Sequence, residues 1–185
     1  ADVSGHGASS AFVTVFLKTL TNRIRRHFEK RTSVSLLSPA RIMAAMNEEL
    51  RALDTGKHLT VFCGVIDVNV QTLTYAVGAH YPPPILCNGN EVMQLAGSGL
   101  PLGLFPGAKY EEHVVALRQR FSLVAASDGI LEILPASDLV AKEALLRAEV
   151  AAADGQLDVL VERLGLPLVR DVPDDIALLM IQRDE

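Results

Sequence analysis

The segment Asp2-Val-Ser-Gly-His-Gly7 places a carboxylate where a strand-like stretch meets two glycines. Two later segments also place aspartates at one end of a strand-like apolar run. Ala125-Ala-Ser-Asp-Gly129 ends one such run, and Pro173-Asp-Asp-Ile176 begins the last one. Carboxylates at strand ends converge on one edge of a sheet, where they repel one another unless a cation neutralises them. Oxygen-only ligands select hard ions such as Mg²⁺ or Mn²⁺ rather than zinc. The pattern therefore predicts a divalent metal site, although any single Asp-Gly is also typical of a simple turn.

The composition is that of a folded, soluble protein. The chain has 185 residues, of which 49% are hydrophobic and 21% are charged, and this length is enough for one domain with a sizeable core. No apolar stretch is long enough to span a bilayer, so we expect a single domain over residues 1–185 without membrane insertion. The net charge of −5 argues against nucleic acid as a partner, despite the basic side chains clustered between residues 23 and 31.

Cys63 and Cys87 both lie inside apolar, strand-like runs. Cysteines in such positions are usually buried small hydrophobes, and cysteines of cytosolic proteins are rarely bridged. We therefore expect two free thiols in a cytoplasmic protein rather than a disulfide.

The hydrophobic periodicity predicts the order of the secondary structure. Helical spacing marks residues 7–30 and a second helix that begins at Ser38 and Pro39 and ends near Gly56, since serine caps a helix and proline suits its first position. Strand patterns follow, and helical spacing returns before a final strand. The predicted strands cover residues 59–68, 72–77, 85–87, 92–95, 110–117, 121–126 and 176–182, and the later helices cover 139–152 and 156–164. This order is typical of an α+β fold with layered sheets and helices outside.

Five segments carry a family pattern over nearly the whole chain. They are Asp2-Val-Ser-Gly-His-Gly7, Tyr75-Ala-Val-Gly-Ala-His80 with the prolines that follow, Gly99-Leu-Pro-Leu-Gly-Leu-Phe-Pro106, Ala126-Ser-Asp-Gly-Ile-Leu-Glu132 and Pro173-Asp-Asp-Ile-Ala-Leu178. In this order they resemble the metal-dependent serine/threonine phosphatases of the protein phosphatase 2C (PPM) superfamily, and within it the bacterial SpoIIE-like, RsbU-like branch. The resemblance implies a β-sandwich of two antiparallel sheets flanked by helical layers, with two divalent ions, Mn²⁺ or Mg²⁺, at one edge.

The resemblance also implies roles for individual residues. The aspartate matching Asp2 bridges both ions, and the carbonyl of the following residue, here Val3, ligates one of them. The aspartates matching Asp128 and Asp174 each bind one ion. His6 matches a histidine with a proposed general-acid role. The alternative is that His6 is structural and caps or packs against the start of the first helix. Two ions close together lower the pKa of a shared water and orient it for attack on phosphorus, so no protein nucleophile is required.

One part of the family's site has no counterpart in these residues. The family carries an upstream Gly-Gly-Asp, on strands before the Asp2 segment, whose aspartate completes the dimetal site. We therefore expect N-terminal strands that this chain lacks, and a site that is short of one carboxylate. Gly78-Ala79-His80 and Ala177 also depart from the usual pattern, but neither departure replaces a direct ligand.

Together these observations predict a cytoplasmic bacterial phosphatase domain that hydrolyses phosphoserine or phosphothreonine on a regulatory protein, such as an anti-sigma-factor antagonist. Domains of this branch usually follow a receiver or sensor module, so we expect the output domain of a response regulator or sensor, and a homodimer is one possible assembly. The alternative is a catalytically silent adaptor that keeps the fold and binds a regulator without hydrolysis. Met43 and Met46 of the second helix suit either a core or a docking surface.

Overall fold

The computed structural model describes residues 1–5, 8–29, 38–170 and 174–184. Within these ranges the chain forms two compact units. Unit 1 comprises residues 1–80 and 97–116, and unit 2 comprises residues 81–96 and 117–185. The single domain expected over residues 1–185 stays a prediction.

The elements follow one another in nearly the predicted order. In chain order they are β1 (Asp2–Val3), α1 (Ala8–Glu29), α2 (Pro39–Ala52), β2 (Leu59–Asp67), β3 (Thr72–Gly78), β4 (Ile85–Asn88), β5 (Glu91–Gln94), β6 (His113–Ala116), β7 (Phe121–Ala126), α3 (Gly129–Ile133), α4 (Leu139–Ala152), α5 (Leu157–Arg163) and β8 (Leu178–Arg183), with a short 3₁₀ turn at Leu166–Leu168 before β8.

Unit 1 contains the antiparallel sheet β1-β2-β3-β6 and the helices α1 and α2. The β2–β3 hairpin is closed by Asp67, whose Oδ1 accepts hydrogen bonds from the backbone N–H groups of Asn69 (2.9 Å) and Val70 (3.2 Å). Such an Asx turn replaces backbone partners at a tight reversal. The pairing with β3 holds β2 from Val61 to Asp67, and the start of β2 pairs with β1.

Helix α2 covers the core of unit 1. Its start agrees with the prediction, because Ser38 Oγ accepts a hydrogen bond from the backbone N–H of Arg41 at 3.2 Å and Pro39 follows the cap. Met43 is fully buried, so it belongs to the core, whereas Met46 is only half-buried. The core of this unit is formed by Val13, Met43, Leu50, Leu59, Val61, Ala76, Leu102, Ala108 and Tyr110.

Unit 2 contains the antiparallel sheet β5-β4-β7-β8 with α3, α4 and α5. The N-cap of α4 is Asp138, whose Oδ1 accepts a hydrogen bond from the Ala141 backbone N–H at 2.9 Å. Helices α3, α4 and α5 close one hydrophobic core with β4 and β7, formed by Ile85, Val124, Ala126, Ile130, Leu131, Leu134, Leu146, Val150, Ala153, Leu160 and Leu164.

These units confirm an α+β fold with two antiparallel sheets and helices. The bounds of β7 and α4 agree with the prediction, whereas α2 ends at Ala52 instead of near Gly56 and the strand predicted over residues 110–117 is confined to His113–Ala116. Cys63 and Cys87 are free thiols, as expected. In the described part of the chain, no helix combines the length and apolar character that a membrane crossing requires.

Candidate metal centre

In unit 1, Asp2 lies on a short edge strand that is fixed by β2. Asp2 pairs with Thr60 and Val3 pairs with Leu59. The contact continues past the strand, because the Ser4 N–H donates to the His58 carbonyl at 2.9 Å and the His58 N–H donates to Ser4 Oγ at 3.0 Å. Asp2 is an exposed residue whose backbone is held by these contacts.

The turn after Asp2 is held by a side chain of the helix that follows. Ser10 Oγ, in the first turn of α1, donates to the carbonyls of Ser4 (3.2 Å) and Gly5 (3.0 Å). Gly5 has φ +68, a backbone conformation that other residues adopt at a cost. A Cβ on Gly5 would lie 2.9 Å from Nζ of Lys57. The glycine therefore permits both the turn and the approach of a cationic side chain.

In unit 2, Asp128 lies at the junction of β7 and α3. It occupies the N-cap position of α3, yet its side chain forms no capping hydrogen bond. Asp128 is also exposed. A carboxylate at the end of a buried strand that does not cap its own helix is available to bind a cation.

The second acidic segment of unit 2 lies directly against the first. Ser127 Oγ donates to the Asp175 carbonyl at 2.9 Å and accepts from the Ala177 N–H at 2.8 Å, while the Ser127 N–H donates to the Ala177 carbonyl at 2.9 Å. A Cβ on Gly129 would lie 2.5 Å from the Asp175 carbonyl oxygen and 3.1 Å from that of Asp174. Only glycine allows the two backbones to approach this closely. The structure thus brings the segments of Asp128 and Asp174 together.

The complete ligand set predicted from sequence is divided between the units. Asp2 and Val3 belong to unit 1, Asp128 and Asp174 belong to unit 2, and His6 lies outside the described residues. Among the described residues there is no group of three or more His, Cys, Asp or Glu side chains close enough to hold a metal ion. Unit 2 contains a pair of exposed aspartates, Asp128 and Asp174. Carboxylate oxygens are the donor atoms that hard divalent cations prefer.

Within unit 1, the loop over residues 97–107 is held against α2 by Asn47, a residue that was not predicted from the sequence. Asn47 is 0% exposed; its Oδ1 accepts from the Gly103 N–H at 2.8 Å and its Nδ2 donates to the Phe105 carbonyl at 2.9 Å. The neighbouring Leu102 exchanges two backbone hydrogen bonds with Leu59, of 2.9 and 3.0 Å. The available signal was a polar residue at a core-facing position of an amphipathic helix, because a buried amide must be hydrogen-bonded.

Comparison with solved structures identifies the class of fold. The SiaA-PP2C domain of Pseudomonas aeruginosa aligns with a TM-score of 0.73 at 20% identity, over 100% of this chain and 73% of that one. The RsbU and RsbW domains of Rv1364c from Mycobacterium tuberculosis align with a TM-score of 0.72 at 25% identity, over 98% of this chain and 50% of that one. Other matches include a SpoIIE phosphatase domain of Bacillus subtilis presoaked with manganese and RsbX in complex with magnesium. The fold is that of PP2C-type phosphatase domains.

The family follows from the sequence itself. The model of the family described as Stage II sporulation protein E (SpoIIE) matches residues 1–184, and the chain belongs to this family. The phosphoserine phosphatase RsbP of Bacillus subtilis (strain 168) is 25% identical over 138 residues, which are 71% of this chain and 32% of RsbP. The chain thus spans about a third of the length of this curated relative.

Proposed function

We propose that this chain is the phosphatase domain of a metal-dependent protein serine/threonine phosphatase. The observation that carries the proposal is the contact between the Asp128 and Asp174 segments through Ser127 and Gly129, in a chain that belongs to the SpoIIE family. The name of RsbP, a phosphoserine phosphatase, supports the same reaction.

The proposed ligands are the carboxylates of Asp2, Asp128 and Asp174 and the carbonyl of Val3, which would hold two Mn²⁺ or Mg²⁺ ions. Such ions, when bound, supply an activated water and neutralise the phosphoryl oxygens. The chain's own contribution is to hold carboxylates at fixed positions: Asp2 through the pairing of β1 with β2, and Asp128 through the end of β7. His6 keeps its two proposed roles, proton donor to the leaving hydroxyl or cap of α1.

We propose a phosphorylated bacterial regulatory protein as the substrate, such as an anti-sigma-factor antagonist. The support is the similarity to RsbP and to a chain that combines RsbU and RsbW domains. The proposal further places the domain in the cytoplasm, as the output domain of a response regulator or sensor that could form a homodimer. RsbP extends well beyond the matched region, and this supports a multidomain setting.

The test is hydrolysis of a phosphoserine peptide with Mn²⁺, measured in parallel with excess EDTA. Asp128→Asn should lower turnover by about 100-fold or more, because even outer-shell partners of a metal contribute 10- to 100-fold. Asp158→Asn, at an exposed position of α5, is the matched control and should keep wild-type turnover. Hydrolysis that persists in EDTA would contradict the metal mechanism. A folded wild-type chain that binds the phosphoprotein without hydrolysis would instead support the adaptor alternative.

A further inference from the structure

Ser127 makes more contacts across unit 2 than a turn residue requires. Its backbone continues the β7–β8 ladder by donating to the Ala177 carbonyl, while its hydroxyl bonds two other backbone groups of the opposite segment, the Asp175 carbonyl at 2.9 Å and the Ala177 N–H at 2.8 Å. Asp128 is the next residue on one side of this link, and Asp174 is the residue before Asp175 on the other. The hydroxyl therefore connects the two acidic segments through hydrogen bonds.

A hydroxyl suits this position because it is both a donor and an acceptor. Alanine would leave the Asp175 carbonyl and the Ala177 N–H to bond with water. Threonine would keep both bonds and add one methyl group at a half-buried position. The Asp174 carboxylate is itself oriented locally, since its Oδ1 accepts from the Asp175 N–H at 2.8 Å. Moving the Asp175 backbone would therefore also move that carboxylate.

The geometry points to Ser127 as a positioning residue for the metal centre. Its hydroxyl fixes the separation of the Asp128 and Asp174 carboxylates before any cation binds, and so it raises divalent metal affinity without being a ligand. This role rests on the proposed function, because the two carboxylates are the metal ligands only if that proposal holds. Hydrogen bonds that orient metal ligands are worth 10- to 100-fold in affinity in other sites.

The test is calorimetric titration of the folded, metal-free protein with MnCl₂, accompanied by thermal unfolding in EDTA. Ser127→Ala should bind Mn²⁺ about 10- to 100-fold more weakly, with only a small decrease of the metal-free thermal midpoint. Ser127→Thr should keep an affinity near that of wild type. Ser137→Ala removes a hydroxyl of the same unit that bonds to Asp138 Oδ2 at 3.3 Å, away from both acidic segments, and should change nothing.

The outcomes separate this inference from the proposed function. If Ser127→Ala binds Mn²⁺ as tightly as wild type while wild type hydrolyses the phosphopeptide, Ser127 is merely structural and the inference alone fails. If wild type neither binds Mn²⁺ nor hydrolyses the peptide, both fail. If Ser127→Ala does not fold, hydrogen exchange at the Ala177 N–H of the metal-free wild type tests the inference instead. The inference requires a protected Ala177 N–H, and exchange at the rate of an unstructured peptide would overturn it.

Discussion

The acidic turn of unit 1 and the acidic segments of unit 2 hold their carboxylates by different means. Asp2 lies on one short stretch of chain that β2 and the first turn of α1 fix in place, through Ser4 and Ser10. Asp128 and Asp174 lie far apart in sequence, and the contacts of Ser127 and Gly129 with the opposite backbone bring their segments together. Both arrangements use contacts between residues far apart in sequence, since Ser4 and His58 are 54 positions apart and Ser127 and Asp175 are 48 positions apart. They differ in what lies against the glycine: Gly5 approaches the flexible end of Lys57, whereas Gly129 approaches backbone carbonyls. The second arrangement should therefore be the more sensitive to small changes.

Substituting Gly129 or Gly5 should give the largest difference between the two units, measured as the free energy of unfolding. In Gly129→Ala the new Cβ would meet the carbonyl oxygens of Asp175 and Asp174 at 2.5 and 3.1 Å, and backbone atoms cannot move away without disturbing the β7–β8 contact. We expect the free energy of unfolding to fall by about 3 kcal/mol, at the upper end for overpacking, although alanine is otherwise the better helix former at the start of α3. Urea unfolding of the metal-free protein measures this loss.

Gly5→Ala is the matched variant in unit 1. Its Cβ would meet the flexible end of Lys57 at 2.9 Å, which can move away, so the remaining cost is the positive φ, about 1 kcal/mol. Equal losses for the two variants would contradict the contrast between a glycine that faces a flexible side chain and a glycine that faces the backbone.

The loop over residues 97–107 provides the next test within unit 1. Asn47→Ala removes the partners of the Gly103 N–H and the Phe105 carbonyl, and each lost hydrogen bond costs about 1 kcal/mol. Glu48→Ala is the control, because Glu48 holds the same loop through the Gly107 N–H from an exposed side chain and should change stability little. A loss for Asn47→Ala no larger than for Glu48→Ala would show that the buried amide does not hold the loop.

The smallest expected effect is a difference in thiol chemistry between the units. Burial raises the pKa of the Cys63 thiol from its ordinary 9.0 to about 11. Burial also raises the pKa of Cys87, but the Ser122 hydroxyl opposes that rise by hydrogen bonding. Because the thiolate is the nucleophile, iodoacetamide at pH 8 should modify Cys87 before Cys63.

Raising the pH should accelerate the modification of Cys63 about tenfold per pH unit, since the thiolate fraction grows in that proportion below the pKa. The same shift makes the unfolded thiol ionise first, so the stability that Cys63 contributes is lost as the pH rises from 9.0 towards about 11. Both thiols should react alike in guanidinium. A Cys63 that reacts equally fast in the folded and denatured protein would refute the difference.

The sequence predicted those elements whose signals are local. The cap and first residue of α2, Ser38 and Pro39, set its beginning. A run of apolar residues interrupted by Ser122 set the bounds of β7. β1 and α3 were not predicted because they have two and five residues, too few to show a period. Asp138 is the N-cap of α4, a cap that was not predicted.

The candidate site likewise has features that the sequence predicted and features that it did not. The resemblance to PPM phosphatases supplied Asp2, Asp128 and Asp174 as predicted metal ligands, because each lies in a short motif, and these roles stay predictions. The contact of Ser127 with the Asp175 carbonyl was beyond prediction, because the two residues are 48 positions apart and only the pairing of β7 with β8 brings them together. Asn47 was missed because its neighbours Met43 and Met46 suggested an apolar stripe, whereas the helix turns Asn47 rather than Met46 into the core.

The central proposal is that the carboxylates of Asp128 and Asp174 bind the same divalent ion, and a double-mutant cycle on Mn²⁺ affinity tests it most directly. Calorimetry on metal-free wild type, Asp128→Asn, Asp174→Asn and the double variant gives the coupling energy between the two residues. If they bind the same ion, each single variant should bind Mn²⁺ more weakly and the losses should be non-additive by at least about 1 kcal/mol. Strictly additive losses, or an Asp174→Asn variant with wild-type affinity, would contradict the account.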